Sequence, residues 1–167
     1  MLLEIKFFYD HFASTNICGM FTIGHLLYFL VFITTAFFTI YFSRKISDRH
    51  YKKLHLIFTI LITIMEIIKI VIRVYKQQSP DSWLPLYFCS LFIFAMWLSL
   101  FKNNFVKKMG YSYICLGGIV ASFLFNVYPS TSLALFPIWH PASIHSFIYH
   151  WIMFYFGVLT QIGRAHV

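Results

Sequence analysis

The sequence predicts an all-α, polytopic transmembrane helix bundle, and three observations predict it. First, 60% of the 167 residues are hydrophobic, 22% are aromatic and only 11% are charged, with a mean hydropathy of +0.75. A soluble domain carries about a quarter charged residues. Second, the apolar residues gather into runs close to the ~20 that a helix needs to cross a hydrocarbon core of about 30 Å. Third, the basic residues stand in short loops between those runs, where topogenic charge belongs. The net charge of +8 therefore reads as membrane topology and not as a nucleic-acid surface. Helix is the form expected throughout, because in lipid it satisfies its own backbone polar groups.

The opening segment, MLLEIKFFYDHF, lacks a basic lead-in to a continuous apolar core, so no signal peptide is read there. Residues 1–18 read instead as an interfacial amphipathic segment, with Phe7, Phe8 and Phe12 on the lipid side. Five spans follow. The first runs from about Phe21 to Phe42, the second from Leu54 to Tyr75, the third from Trp83 to Phe101 and the fourth from Tyr111 to Tyr128. The fifth begins at Pro141, a residue suited to a first helical turn, and continues to about Thr160. Gly118, Ala121 and Ser122 give span four a small-residue strip for close helix contact. The uncharged linker PSTSLALFPIWHP between spans four and five reads as a lid or re-entrant segment.

Loop charge sets the orientation. Arg44, Lys45, Arg49, Lys52 and Lys53 lie between spans one and two, and Lys102, Lys107 and Lys108 between spans three and four. The opposite side holds Lys6, Arg73 and Lys76. The excess puts the N-terminus outside and the two richer loops in the cytoplasm. The last six residues, IGRAHV, match what a sequencing-adapter oligonucleotide encodes. The native chain is accordingly read as residues 1–161, a single integral membrane domain with further spans expected beyond it, and 162–167 as a non-native read-through tail.

Ionisable side chains inside a span cost at least about 2.5–3.5 kcal/mol each near the bilayer centre, so each needs an explanation. Glu66, Lys69 and Arg73 follow an i, i+3, i+7 spacing and share one face of span two. They are either an ion pair that fixes helix packing or the polar wall of a substrate cavity. His25 lies near the outer end of span one, and His145 and His150 lie in span five. His140, His145 and His150 are five apart, so no two share a helical face, and no metal site is expected. Of Cys18, Cys89 and Cys115, none follows a metal or disulfide spacing.

Cys89 is six residues below Trp83, or about 9 Å at 1.5 Å per residue. His150 is nine residues after Pro141, about 13 Å down a helix that starts on the same side. The two fit one level of the outer leaflet. A thiol beside an imidazole base is the arrangement that yields a nucleophilic thiolate, with Lys69 or Arg73 adding a favourable field. The other reading of Cys89 is a small packing residue.

The stretches FTIGHLLYF, ITIMEIIKIVIR, LPLYFCSLFIFAMW, GGIVASFLFNVYP and HSFIYHWIMFYFGVL, in that order, resemble the YwaF-like integral membrane proteins of bacteria, the family of the animal transmembrane protein 164. The resemblance implies a phospholipid acyltransferase that carries the acyl chain on a cysteine, here Cys89, with a histidine, here His150, assisting. It implies membrane phospholipid and lysophospholipid as partners and no cofactor. The family pattern often places His two residues before the cysteine, where this chain has Tyr87. Tyr87, Ser90 and His25 are the candidates for stabilising an oxyanion, and Glu66, Lys69 and His145 for the surrounding cavity. The alternative reading is a small multi-span transporter or membrane binding protein with a polar site at Glu66 and Lys69.

Overall fold

The computed structural model describes residues 17–77 and 87–164, without the side chains of 163 and 164. The amphipathic segment expected over 1–18 lies almost wholly outside the described residues, as do Trp83 and the last three residues of the tail. The described chain is all-helical and has no strand. It runs through α1 (Ile23–Ser43), α2 (Asp48–Tyr75), α3 (Leu91–Leu98), α4 (Asn104–Val127) and α5 (Pro141–Arg164). Four of these, α1, α2, α4 and α5, are long and apolar enough to cross a membrane. The chain is a multi-pass membrane protein.

Polar caps set the helix starts more than apolar content does. Thr22 caps α1 by accepting from the His25 backbone N–H, and Ser47 does the same for His50 at the start of α2. Asn103 Oδ1 accepts from Phe105 N at 2.9 Å and opens α4. Capping satisfies the orphan N–H groups of a first turn. Hence α2 and α4 begin some six or seven residues before the apolar runs at Leu54 and Tyr111, in the basic interfacial segments.

The third span differs most from its expectation. The helix reaches only from Leu91 to Leu98, and Cys89 lies in the turn before it, not six residues down a helix. The physical reason is a competition for carbonyls. The Tyr113 hydroxyl donates to the Phe88 carbonyl, and the Tyr149 hydroxyl donates to the Cys89 carbonyl at 3.2 Å. Irregular backbone is tolerated at membrane depth where protein surrounds it in this way. At the far end, Ser99 Oγ donates to the Met96 carbonyl and the chain turns away.

The core is built where α3, α4 and α5 meet: Phe92, Met96, Ile114, Ile152, Met153 and Phe156 are essentially inaccessible. α5 packs most extensively on α4, and Gly118 permits the close approach: a Cβ there would lie 2.6 Å from the Met153 carbonyl oxygen of α5. Gly110 does the same for α4 against the end of α3, where a Cβ would lie 2.5 Å from the Ser99 backbone nitrogen. Interfaces of small residues are how helices pack tightly without a hydrophobic driving force between them.

Two polar links define the ends of the bundle. At one end His25 Nε2 meets the Asn126 carbonyl oxygen at 2.9 Å, and Tyr28 donates to the Ile138 carbonyl. At the other, Tyr51 and Thr160 share a hydrogen bond of 3.0 Å, and His55 Nε2 lies 3.1 Å from Ser99 Oγ. The two basic loops lie at this second end. The linker 129–140 is a series of turns at the His25 end. It bonds to the start of the described chain, with Cys18 N donating to the Phe136 carbonyl and Gly19 N to the Leu133 carbonyl.

Candidate functional site

The site is assembled from the turn before α3 and the middle of α5. His150 Nε2 lies 3.1 Å from Cys89 Sγ. The other ring nitrogen, Nδ1, lies 2.7 Å from the Ser146 carbonyl oxygen one turn earlier in α5. A carbonyl only accepts, so Nδ1 carries the proton and Nε2 presents a lone pair to the thiol. That is the tautomer a base needs. The orienting group is a main-chain carbonyl of the helix that carries the histidine, in place of a separate acid or amide side chain.

The imidazole is also held on its faces. It stacks on Phe125 of α4, with ring centroids 3.7 Å apart and planes within 5°, and the Tyr149 ring meets it edge-on at 5.9 Å. His150 is only 6% exposed. Cys89 is held through its own backbone by the Tyr149 hydroxyl, while Tyr113 holds the preceding carbonyl. Two helices thus grip the turn that carries Cys89, and Phe125 of α4 and the Ser146 carbonyl of α5 fix the imidazole beside it. Contacts of this kind hold a pair of groups in one register.

Glu66 and Lys69 form the ion pair their spacing predicts. Glu66 is 4% exposed, and its Oε1 also accepts from Ser90 Oγ at 3.3 Å. Ser90 follows Cys89 directly, so the pair on α2 is tied to the same turn. This links the polar stripe of span two to the thiol through one residue.

The remaining sequence candidates fall in two places. His145 lies one turn before Tyr149 in α5, its ring stacked on that tyrosine at 6.0 Å, and its buried Nε2 has no partner among the described residues. Tyr87 begins the turn that carries Cys89, but it is 55% exposed and points away from the core. His25 stands apart at the end of the bundle. Its Nδ1 accepts from the Phe21 backbone N–H at 3.0 Å, so its Nε2–H is the donor to the Asn126 carbonyl. Both nitrogens are committed to structure there. Cys18, Cys89 and Cys115 are in no disulfide among the described residues. His140 stacks on Phe136 in the linker, and no group of three His, Cys, Asp or Glu side chains among the described residues is arranged to hold a metal.

Sequence reasoning missed Tyr149, Tyr113, Phe125 and the Ser146 carbonyl. Only the last had a signal, since residue 146 is four before 150 on a helix and its carbonyl faces that side chain. The linker expected as a lid packs instead against residues 18–28 at the His25 end.

The model of the TMEM164 family, a membrane protein family, matches residues 20–166, most of the chain. The chain belongs to the TMEM164 family. The match takes in every element that builds the site, from Glu66 of α2 to His150 of α5. No curated protein and no solved structure matches the chain. Membership accounts for the multi-pass helical architecture of the protein. The chemistry of the Cys89–His150 pair rests on the geometry above.

Proposed function

We propose that this TMEM164-family protein is a membrane-embedded acyltransferase that carries a fatty acyl group on Cys89, with phospholipid as donor and lysophospholipid as acceptor. The single observation that supports the reading is the 3.1 Å approach of His150 Nε2 to Cys89 Sγ, in the tautomer that leaves Nε2 free to accept. The resemblance described from the sequence points to the same chemistry.

In the first half-reaction His150 Nε2 takes the thiol proton, and the Cys89 thiolate attacks the ester carbonyl of the donor. The carbon–oxygen bond breaks, the alkoxide takes the proton back from the imidazolium, and a lysolipid leaves. In the second, an acceptor hydroxyl loses its proton to Nε2 and attacks the thioester carbonyl. The carbon–sulfur bond breaks and the thiolate regains the proton. Ser146 holds the imidazolium through its carbonyl in both halves. By the excess of basic residues in the loops at the Tyr51 end, that end faces the cytoplasm and the N-terminus lies outside.

The test is acyl transfer in vesicles containing phosphatidylcholine with a labelled acyl chain and an unlabelled lysophospholipid. Label should appear on the protein as a thioester released by neutral hydroxylamine, and then on the acceptor. Cys89→Ala should abolish both signals, and His150→Ala should slow transfer by about 10²–10⁴-fold, the usual worth of a positioned base. Undiminished transfer by folded Cys89→Ala protein would sink the proposal. The transport reading rests on the intramembrane Glu66–Lys69 pair. It would be favoured instead by solute flux that needs Glu66 and ignores Cys89.

A further inference from the structure

The Glu66–Lys69 pair lies within the long apolar helix α2, and the two half-reactions above give it no part. Charged groups at that depth need a reason. Glu66 is 4% exposed, and its Oε1 takes two donors at once. One is the Lys69 ammonium on its own helix; the other is the Ser90 hydroxyl, 3.3 Å away on the turn that carries Cys89. Three residues earlier in α2, Thr63 Oγ1 accepts from Trp97 Nε1 at 3.0 Å. These two hydrogen bonds tie α2 to the third span, and only the one at Glu66 carries charge.

Titratable groups from three helices surround the Cys89 sulfur. α5 presents the His150 imidazole and Tyr149, α4 presents Tyr113, and α2 presents Lys69, whose charge acts on the thiol. Both tyrosine hydroxyls are engaged, on the Phe88 and Cys89 carbonyls, and both are neutral phenols. His145 stacks on Tyr149 and feels Glu66, Lys69 and Arg73. His150 becomes a cation only by taking the thiol's own proton, so the standing positive charge acting on the sulfur is that of Lys69. A cation nearby favours a thiolate, and more so away from water. A lone lysine would not stay there, because its long stem lets the ammonium swing out to the membrane interface. The Glu66 carboxylate keeps it at the level of the turn.

We infer that Glu66 is a positioning residue for Cys89: through one carboxylate oxygen it seats the Lys69 ammonium beside the turn, where that ammonium serves as counter-ion to the Cys89 thiolate. The inference rests on the same Cys89–His150 pair as the acyl-transfer reading and adds two residues that touch neither substrate nor acyl carbon. When the thiol ionises, its proton goes to His150 Nε2 and the sulfur becomes negative. Lys69 keeps its protons and Glu66 its charge, and no bond forms to either.

The experiment is the rate of alkylation by N-ethylmaleimide as a function of pH, on the full chain in phosphatidylcholine nanodiscs. Cys18 and Cys115 are replaced by serine so that Cys89 alone reports. Lys69→Met should raise the midpoint of the profile by about one pH unit, the size expected for losing a close opposite charge, and slow the reaction about tenfold below it. Lys69→Arg should keep the midpoint. Glu66→Gln separates position from charge. A carboxylate that only adds negative potential would, once neutralised, lower the midpoint; one that seats the lysine raises it, because the ammonium leaves. The double variant Glu66→Gln, Lys69→Met should shift no further than Lys69→Met. Thr63→Val, which removes the uncharged tie, should leave the midpoint in place. An unmoved midpoint in folded Lys69→Met protein would overturn the inference, as would a lowered one in Glu66→Gln or an equal shift in Thr63→Val. Alkylation needs no lipid substrate, so raised midpoints without any acyl transfer would uphold this inference while the transfer reading fails.

Discussion

His150 has each part of its ring assigned a neighbour: Nε2 the Cys89 sulfur, Nδ1 the Ser146 carbonyl, one face the Phe125 ring. The ring is thereby held in one rotamer and one tautomer without a charged partner, which suits a site in lipid, where a lone buried carboxylate would be costly. Phe125→Leu should keep the volume roughly filled yet release the imidazole face. Alkylation of Cys89 by a membrane-permeant maleimide should then slow severalfold, with the protein still eluting as a folded species; an unchanged rate would show that the stacking does not orient the base. The pairing of Glu66 with Lys69 was legible from their i, i+3 spacing, because both ends of that contact are local. Facing was not legible. Depth arithmetic brought Cys89 and His150 to one level, but nothing in a single chain says which way two helices turn, and the partner of His25 is a carbonyl 101 residues away.

At the scale of elements, Gly118 of α4 is a sensitive point. A side chain at residue 118 would drive into the main chain of α5 at Met153, where neither backbone has room to yield. Gly118→Val should cost about 1–3 kcal/mol, read as a lowered midpoint in thermal unfolding followed by fluorescence-detected gel filtration. A midpoint equal to the parent's would mean that α4 and α5 can part without loss. The four long helices were readable because each apolar run is long enough to span a membrane, and span one matches its expected limits to within two residues. The starts of α2 and α4 were misplaced because Ser47 and Asn103 cap helices in polar sequence. The third helix was overextended for a different reason: hydropathy registers LPLYFCSLFIFAMW as one apolar stretch, and cannot register that tyrosines from two other helices take its carbonyls.

At the scale of the whole molecule, both basic loops lie at the end marked by Tyr51 and Thr160, opposite the linker 129–140. With the native cysteines replaced by serine, a Lys102→Cys variant should resist a membrane-impermeant maleimide in intact cells and react once the membrane is opened. Reaction in intact cells would reverse the proposed orientation. The same arrangement puts the thiol and imidazole between the two ends of the bundle.

The ring contacts from Tyr28 through Phe147 and Phe125 to His150, the outer two stacked and the middle one edge-on, link the first helix to the imidazole beside Cys89. If those contacts are tight, a displacement of α1 reaches the His150 ring through them. Tyr28→Leu, remote from the thiol, should therefore blunt Cys89 alkylation about as much as Phe125→Leu does, and the double replacement should add little more. Bilayer thickness or stiffness would then act as a tuning knob for the reaction, with sensitivity that disappears in the double variant.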